Sequence, residues 1–106
     1  METNLPELCR RVWARVPECK VAGVVFTHTE IVWPNWMPKH MQIDAIQAAA
    51  LRWLLANRCE VLKFDTGPYM VWPAFGWPRW ELQDTDLTTC LLLAVERCQE
   101  YKENSK

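Results

Sequence analysis

The sequence predicts an α+β domain: helices packed on a mainly antiparallel sheet of three to five strands, in the order α-β(β)-α-β-β-β-α. Three observations predict it. Segments near residues 5–16, 41–58 and 87–101 carry apolar side chains at helical spacing. Between the second and third segments, short β-branched or aromatic runs are separated by turn residues, so strands group as hairpins rather than alternating singly with helices. At 106 residues the chain has the size of one domain, residues 1–106, and can bury a core without staples.

Asn4, followed by Pro6 and Glu7, marks the first helix start, with Asn4 as N-cap and Glu7 placed to complete a capping box. Leu5, Leu8, Cys9, Val12, Trp13 and Val16 then form an apolar face, and Pro17 stops the helix. Arg10, Arg11 and Arg15 lie on the opposite face, which reads as solvated, with Glu7 four residues before Arg11 partly offsetting its charge. Residues 20–33 are rich in β-branched side chains and read as one strand, or as two joined around residues 27–30. WPNWMP, residues 33–38, cannot be helix, because each residue before a proline is driven toward extended backbone.

The run MQIDAIQAAALRWLLANR, residues 41–58, reads as a central helix. Ile43, Ile46, Ala50, Trp53 and Leu54 form its broad stripe, and Ala48, Leu51 and Leu55 form a second one on the other side. A helix with two apolar stripes needs cover on two sides. The sheet is expected to cover the first stripe. The N-terminal helix is expected to cover the second, with a second copy of the chain as the alternative.

CEVLKF, residues 59–64, reads as a strand, Asp65-Thr66-Gly67-Pro68 as a turn, and YMVWPA, residues 69–74, as the returning strand. Pro73 places that end at a sheet edge or bulge. A second turn at residues 75–78 leads to a short third strand at 79–83. Asp84, Thr85 or Asp86 then caps the last helix. Leu87, Cys90, Leu91, Ala94, Val95, Cys98 and Tyr101 make its buried face, Glu96, Glu100 and Glu103 its exposed one, and residues 103–106 fray.

Half of the residues are apolar and about a quarter are charged, an ordinary globular balance. The formal net charge of −1 supplies no field that would steer the chain to nucleic acid or an acidic membrane. The longest unbroken apolar run, residues 90–95, is far shorter than the roughly 20 residues that span a bilayer. The N-terminus has no basic segment leading into an apolar one, so a cytoplasmic protein is the expectation. Five cysteines, odd in number and without CxxC spacing, argue against a disulfide framework and for a reducing compartment.

In IDAIQAAALRW, EVLKFDTGPYMVWPAFGW and DLTTCLLLAVERC the chain resembles the phage ABA sandwich family, small phage and prophage domains with helices layered about a sheet. An acidic residue and alanines open the middle helix in that family, and a Cys-containing, Ala/Leu-rich helix closes the domain. The likeness covers residues 41–100; the WPNWMP loop and the lack of a proline at the start of the last helix depart from it. The family offers no catalytic residues to carry over. It implies a phage-type accessory protein, acting in the cytoplasm of a bacterial host.

No catalytic or metal-binding constellation is recognised. His40 and Asp44 stand four apart at a helix start, but two ligands make no metal site, and local packing is the favoured reading. Cys59 with His28 or His40 would supply a thiol and a base, with nothing nearby to activate them. Glu60, Asp65 and Glu81 read as solvent-side strand and turn residues. Neither GxGxxG nor GxxxxGK[ST] occurs, so no nucleotide cofactor is expected.

The seven tryptophans are the anomaly. Trp13 and Trp53 sit on core stripes, whereas Trp33, Trp36, Trp77 and Trp80 lie beside prolines, with Arg79 between the last two. Rigid indole with arginine suits a binding hot spot for a protein partner. The competing reading has the same rings capping sheet edges in a small core. The first functional expectation is therefore a non-catalytic protein-binding accessory protein, monomeric or homodimeric, with inhibition of a bacterial defence system as one form. A single-stranded nucleic-acid binder that stacks bases on tryptophan is the second, weakened by the net charge of −1, since such binders usually carry a basic groove. A small hydrolase or thiol enzyme is the third.

Overall fold

A computed structural model describes residues 4–27, 30–63, 67–73 and 82–104. The elements are α1 (Leu5–Arg15), a 3-10 turn (Pro17–Cys19), β1 (Val25–Phe26), β2 (Ile31–Val32), α2 (Lys39–Ala56), β3 (Cys59–Lys63), β4 (Tyr69–Pro73), β5 (Leu82–Asp84) and α3 (Leu87–Asn104). This is the α+β order expected. The strands divide into two sheets, an antiparallel pair β1-β2 and an antiparallel trio β3-β4-β5.

Local chemistry sets the helix ends. The Asn4 side chain accepts a hydrogen bond from the Glu7 backbone N–H at 3.4 Å, and α1 stops at Arg15, two residues before Pro17. Among the three candidates for the last cap, Asp86 does the capping: its carboxylate accepts from the Thr89 N–H at 2.9 Å. Asp84 accepts from the Asp86 N–H at 2.8 Å and holds the turn that precedes it. The third strand is described over Leu82–Asp84, ending one residue beyond the expected Gln83, and residues 79–81 are outside the described ones.

The trio is held in register by Val61↔Val71 and Leu62↔Met70 on one side of β4 and by Val71↔Leu82 on the other. Alternation turns Cys59, Val61 and Val71 toward the helices and Glu60, Leu62, Met70 and Trp72 away from them. Cys59 and Val71 are buried accordingly. α2 and α3 lie side by side over this sheet, α2 on β3 and α3 on β4 and β5. α1 packs on α3 as a further layer, and the 3-10 turn reaches α2.

That arrangement corrects the expected hierarchy. The central element is α3, with buried side chains almost all round: Cys90, Leu91, Leu92, Ala94, Val95 and Cys98. α2 buries its broad stripe through Ile46, Ala50, Trp53 and Leu54, with Trp53 8% exposed. Its second stripe is not covered by α1, because α1 is drawn to α3. Leu8, Cys9, Val12 and Trp13 of α1 are all buried. Leu55 is left 57% exposed, and Ala48 is exposed too.

Charge pairing across the surface joins α1 to α3. Arg11 grips Glu96 with two hydrogen bonds of 2.7 and 3.0 Å. Arg15 bonds Glu100 at 3.1 Å and Glu103 at 3.0 Å. The two contacts advance by four residues on both helices, so α1 and α3 run in the same direction. Arg11 and Arg15 thus pair with the glutamate face of α3 while both remain exposed, as expected of solvent-side faces. No described helix is long and apolar enough to cross a membrane.

Candidate functional site

The turn after β2 is built from both ends by backbone restriction. Pro34 accepts from the Met37 N–H at 3.1 Å, closing residues 34–37, and Pro38 accepts from the Met41 and Gln42 N–H groups at 3.0 and 3.1 Å to start α2. The Gln42 side chain donates back to the Met37 carbonyl at 3.2 Å. Two prolines with fixed φ and these four bonds leave the turn little freedom. Gly23 backs it from the neighbouring segment: its φ is 85°, and a β-carbon there would lie 3.3 Å from Pro34 Cγ.

The same turn splits the two indoles that the sequence treats alike. Trp33 points inward, partly buried against the core, with its ring 6.3 Å from that of Trp13 at 75°, an edge-to-face contact. Met37 is buried beside the turn. Trp36 points outward and is 71% exposed, the most exposed large apolar side chain among the described residues. Trp33 therefore anchors and Trp36 presents. Trp77, Arg79 and Trp80, the other expected partner-binding residues, lie outside the described residues. Trp72 is half-buried on the outer side of β4, across from Glu60 on β3.

The same stretch of chain holds other exposed apolar side chains that sequence reasoning missed. Val25 and Val32 are directly paired across the β1-β2 hairpin and are 60% and 50% exposed; Met41, at the start of α2, is exposed as well. Four of the seven exposed large apolar side chains among the described residues thus fall between residues 25 and 41. A signal existed. Strands of two residues each cannot bury both faces, so a Val-rich hairpin of that length leaves β-branched side chains in water.

A second apolar surface is the groove left by α2's uncovered stripe. It has a volume of about 540 Å³ and runs between Leu51 and Leu55 of α2, Val61 and Leu62 of β3, and Leu91 of α3. Polar groups are few there; Gln47, at one wall, is committed to the Thr88 hydroxyl at 2.8 Å.

The polar candidates disperse. His40 and Asp44 are exposed at the start of α2, and among the described residues no group of three or more His, Cys, Asp or Glu could hold a metal ion. His40 and Cys59 stand at opposite ends of α2, separated by about 25 Å of helix rise, so they form no catalytic pair. His28, Asp65 and Glu81 lie outside the described residues, and Glu60 is exposed.

Cys59 instead meets Cys98, the two sulfurs 3.9 Å apart and both buried. The Cys59 thiol also lies 3.9 Å from the Asn57 carbonyl. The Cys98 thiol is held below its ordinary range by the hydrogen bond from Cys59, opposed by burial and helped by the Lys102 ammonium. Cys59 moves up, because its proton is shared with Cys98 and its sulfur is desolvated.

Comparison with protein-family models, with curated proteins and with solved structures finds no match.

Proposed function

We propose that the chain is a non-catalytic protein-binding module of phage accessory type, which acts in the bacterial cytoplasm by occluding or bridging a protein partner. The observation that carries this reading is Trp36, 71% exposed on a turn closed by Pro34 and Pro38 and anchored by Trp33. A large flat side chain held in place loses little entropy when a partner covers it. Val25 and Val32, paired on the hairpin that precedes the turn, are exposed apolar side chains as well. The phage setting, and inhibition of a bacterial defence system as one form of the activity, rest on the resemblance of residues 41–100 alone.

The test is capture from a bacterial lysate by the wild-type chain and by Trp36→Ala in parallel. A stoichiometric protein retained by the wild type and lost by Trp36→Ala, at an unchanged melting temperature, supports the reading. Retention of the same protein by both baits overturns the role of Trp36. Fluorescence quenching by single-stranded oligonucleotides that weakens with salt would transfer the surface to nucleic-acid binding.

A further inference from the structure

The buried thiol pair is a site that the binding role does not use. Cys59 opens β3, and the turn that delivers it runs through Arg58, a non-glycine residue with φ 61°. Asn57 fixes this turn by donating from its side chain to the Trp53 carbonyl at 2.8 Å. Cys98 comes from α3, 39 residues later, and its sulfur accepts from the Cys59 thiol. One helical turn beyond Cys98, Lys102 is held in place by the Asn57 side-chain oxygen at 2.8 Å and by the Trp53 ring, 5.5 Å from its nitrogen. A groove of about 390 Å³ reaches both cysteines and is lined by the cationic Arg58 and Lys102 as well as by Tyr101.

We propose that Cys59 and Cys98 are a redox-active dithiol that reduces a small hydroperoxide and closes to a disulfide joining β3 to α3. The geometry assigns the roles. Cys98 accepts the hydrogen bond and stands one turn from an anchored ammonium, so it is the attacking sulfur; Cys59 donates and is the resolving one. The Cys98 thiolate attacks one peroxide oxygen: an S–O bond forms, the O–O bond breaks, and the alkoxide leaves and takes up a proton as alcohol. Cys59 then attacks the sulfur of the Cys98 sulfenic acid. An S–S bond forms, the S–O bond breaks, and hydroxide leaves with the Cys59 proton as water. Two thiols and one hydroperoxide become one disulfide, one alcohol and one water, the thiols losing two electrons and the peroxide gaining them.

Burial selects the oxidant. Cys59 and Cys98 are 3% and 5% exposed, which admits a peroxide along the groove and excludes a protein disulfide that would need direct access to either sulfur. The sulfurs have to close from 3.9 Å to about 2.05 Å. The edge position of β3 in its sheet gives Cys59 backbone on one side only partly fixed by pairing. Cys19 also feels the charge at Cys98 and is the competing partner within the core.

The experiment treats the reduced full-length chain with hydrogen peroxide, blocks remaining thiols with N-ethylmaleimide under denaturing conditions, and maps the peptides. The starting chain has five free thiols. Loss of two, recovered by dithiothreitol, with a cross-linked peptide pair containing Cys59 and Cys98, supports the proposal. In Cys59→Ser, checked for folding by circular dichroism, the Cys98 sulfenic acid should persist and be trapped by dimedone. A disulfide that maps to Cys19 overturns the assignment. So does survival of all five thiols under conditions that consume free cysteine, and both of these results come from the wild-type chain.

Discussion

Leu54 and Leu55 are adjacent on α2, and the fold predicts opposite fates for them. Leu54 is fully buried against the core. Truncating a fully buried leucine to alanine removes transfer free energy and leaves a cavity, together costing about 3 kcal/mol. Leu55 is 57% exposed on the groove side, where the same truncation should cost less than about 0.5 kcal/mol. A domain of 106 residues has a total stability of about 5–15 kcal/mol. Leu54→Ala should therefore remove a large fraction of it and lower the melting temperature by about 12 °C. Leu55→Ala should leave it within about 2 °C. Urea unfolding followed by circular dichroism at 222 nm measures both without relying on Trp53, which lies next to both sites. If Leu55→Ala costs as much as Leu54→Ala, α2's second stripe is covered after all and its orientation here is wrong. If Leu55→Ala costs more only at high protein concentration, the cover is a second copy of the chain.

Two further results are expected. A double-mutant cycle on Arg11 and Glu96, whose side chains are 55% and 17% exposed, should give a coupling of about 0.5–1 kcal/mol, falling by more than half in 1 M salt; a coupling unchanged by salt would contradict a surface ion pair. Burial pushes the thiols of Cys9 and Cys19 up to about 12 and that of Cys90 to about 11, so the folded chain keeps protons that the unfolded chain releases from about pH 8.5 upward. Stability is fully present below that pH and should fall between about pH 9 and 12, by about 1.4 kcal/mol per pH unit for each such thiol; Cys9→Ala should flatten the slope, and an unchanged slope would remove Cys9 as a cause.

What was legible in the sequence was local. The Asn4 cap, the stop before Pro17, the acidic start of α3 and the hairpin of β3 and β4 each depend on residues a few positions apart, and all are found. Side-chain alternation and helical spacing likewise place Trp53, Cys9, Cys90 and Cys98 in the core. Relations between distant segments were not legible. Nothing near Arg11 announces Glu96, 85 residues away, and nothing near Cys59 announces Cys98. The rank of the helices was misread for a related reason. α2 has the longer apolar run of alanines, but small side chains fit as readily at an exposed groove as in a core. The CLLLAV run of α3 offers no polar flank over nearly two turns and therefore demands cover all round.

The two indoles of the WPNWMP turn show how such a reading runs out and where structure takes over. Both lie within two residues of a proline in the same six-residue segment, and their composition contexts are almost the same. Only the tertiary position of Trp13 separates them, by offering Trp33 a ring edge. Trp36 then gains little from folding. With 71% of its surface in water, it leaves about 170 Å² uncovered, which at roughly 25 cal/mol per Å² holds up to about 4 kcal/mol for whatever covers it. That is the magnitude of a binding hot spot and far more than the ring contributes to the isolated domain. The prolines on either side and the close approach of Gly23 to Pro34 restrict the turn before any partner arrives, so most of that free energy is left to favour association rather than being spent on ordering a loop. A stability role for Trp36 would require the ring to lie inward like Trp33. It lies outward.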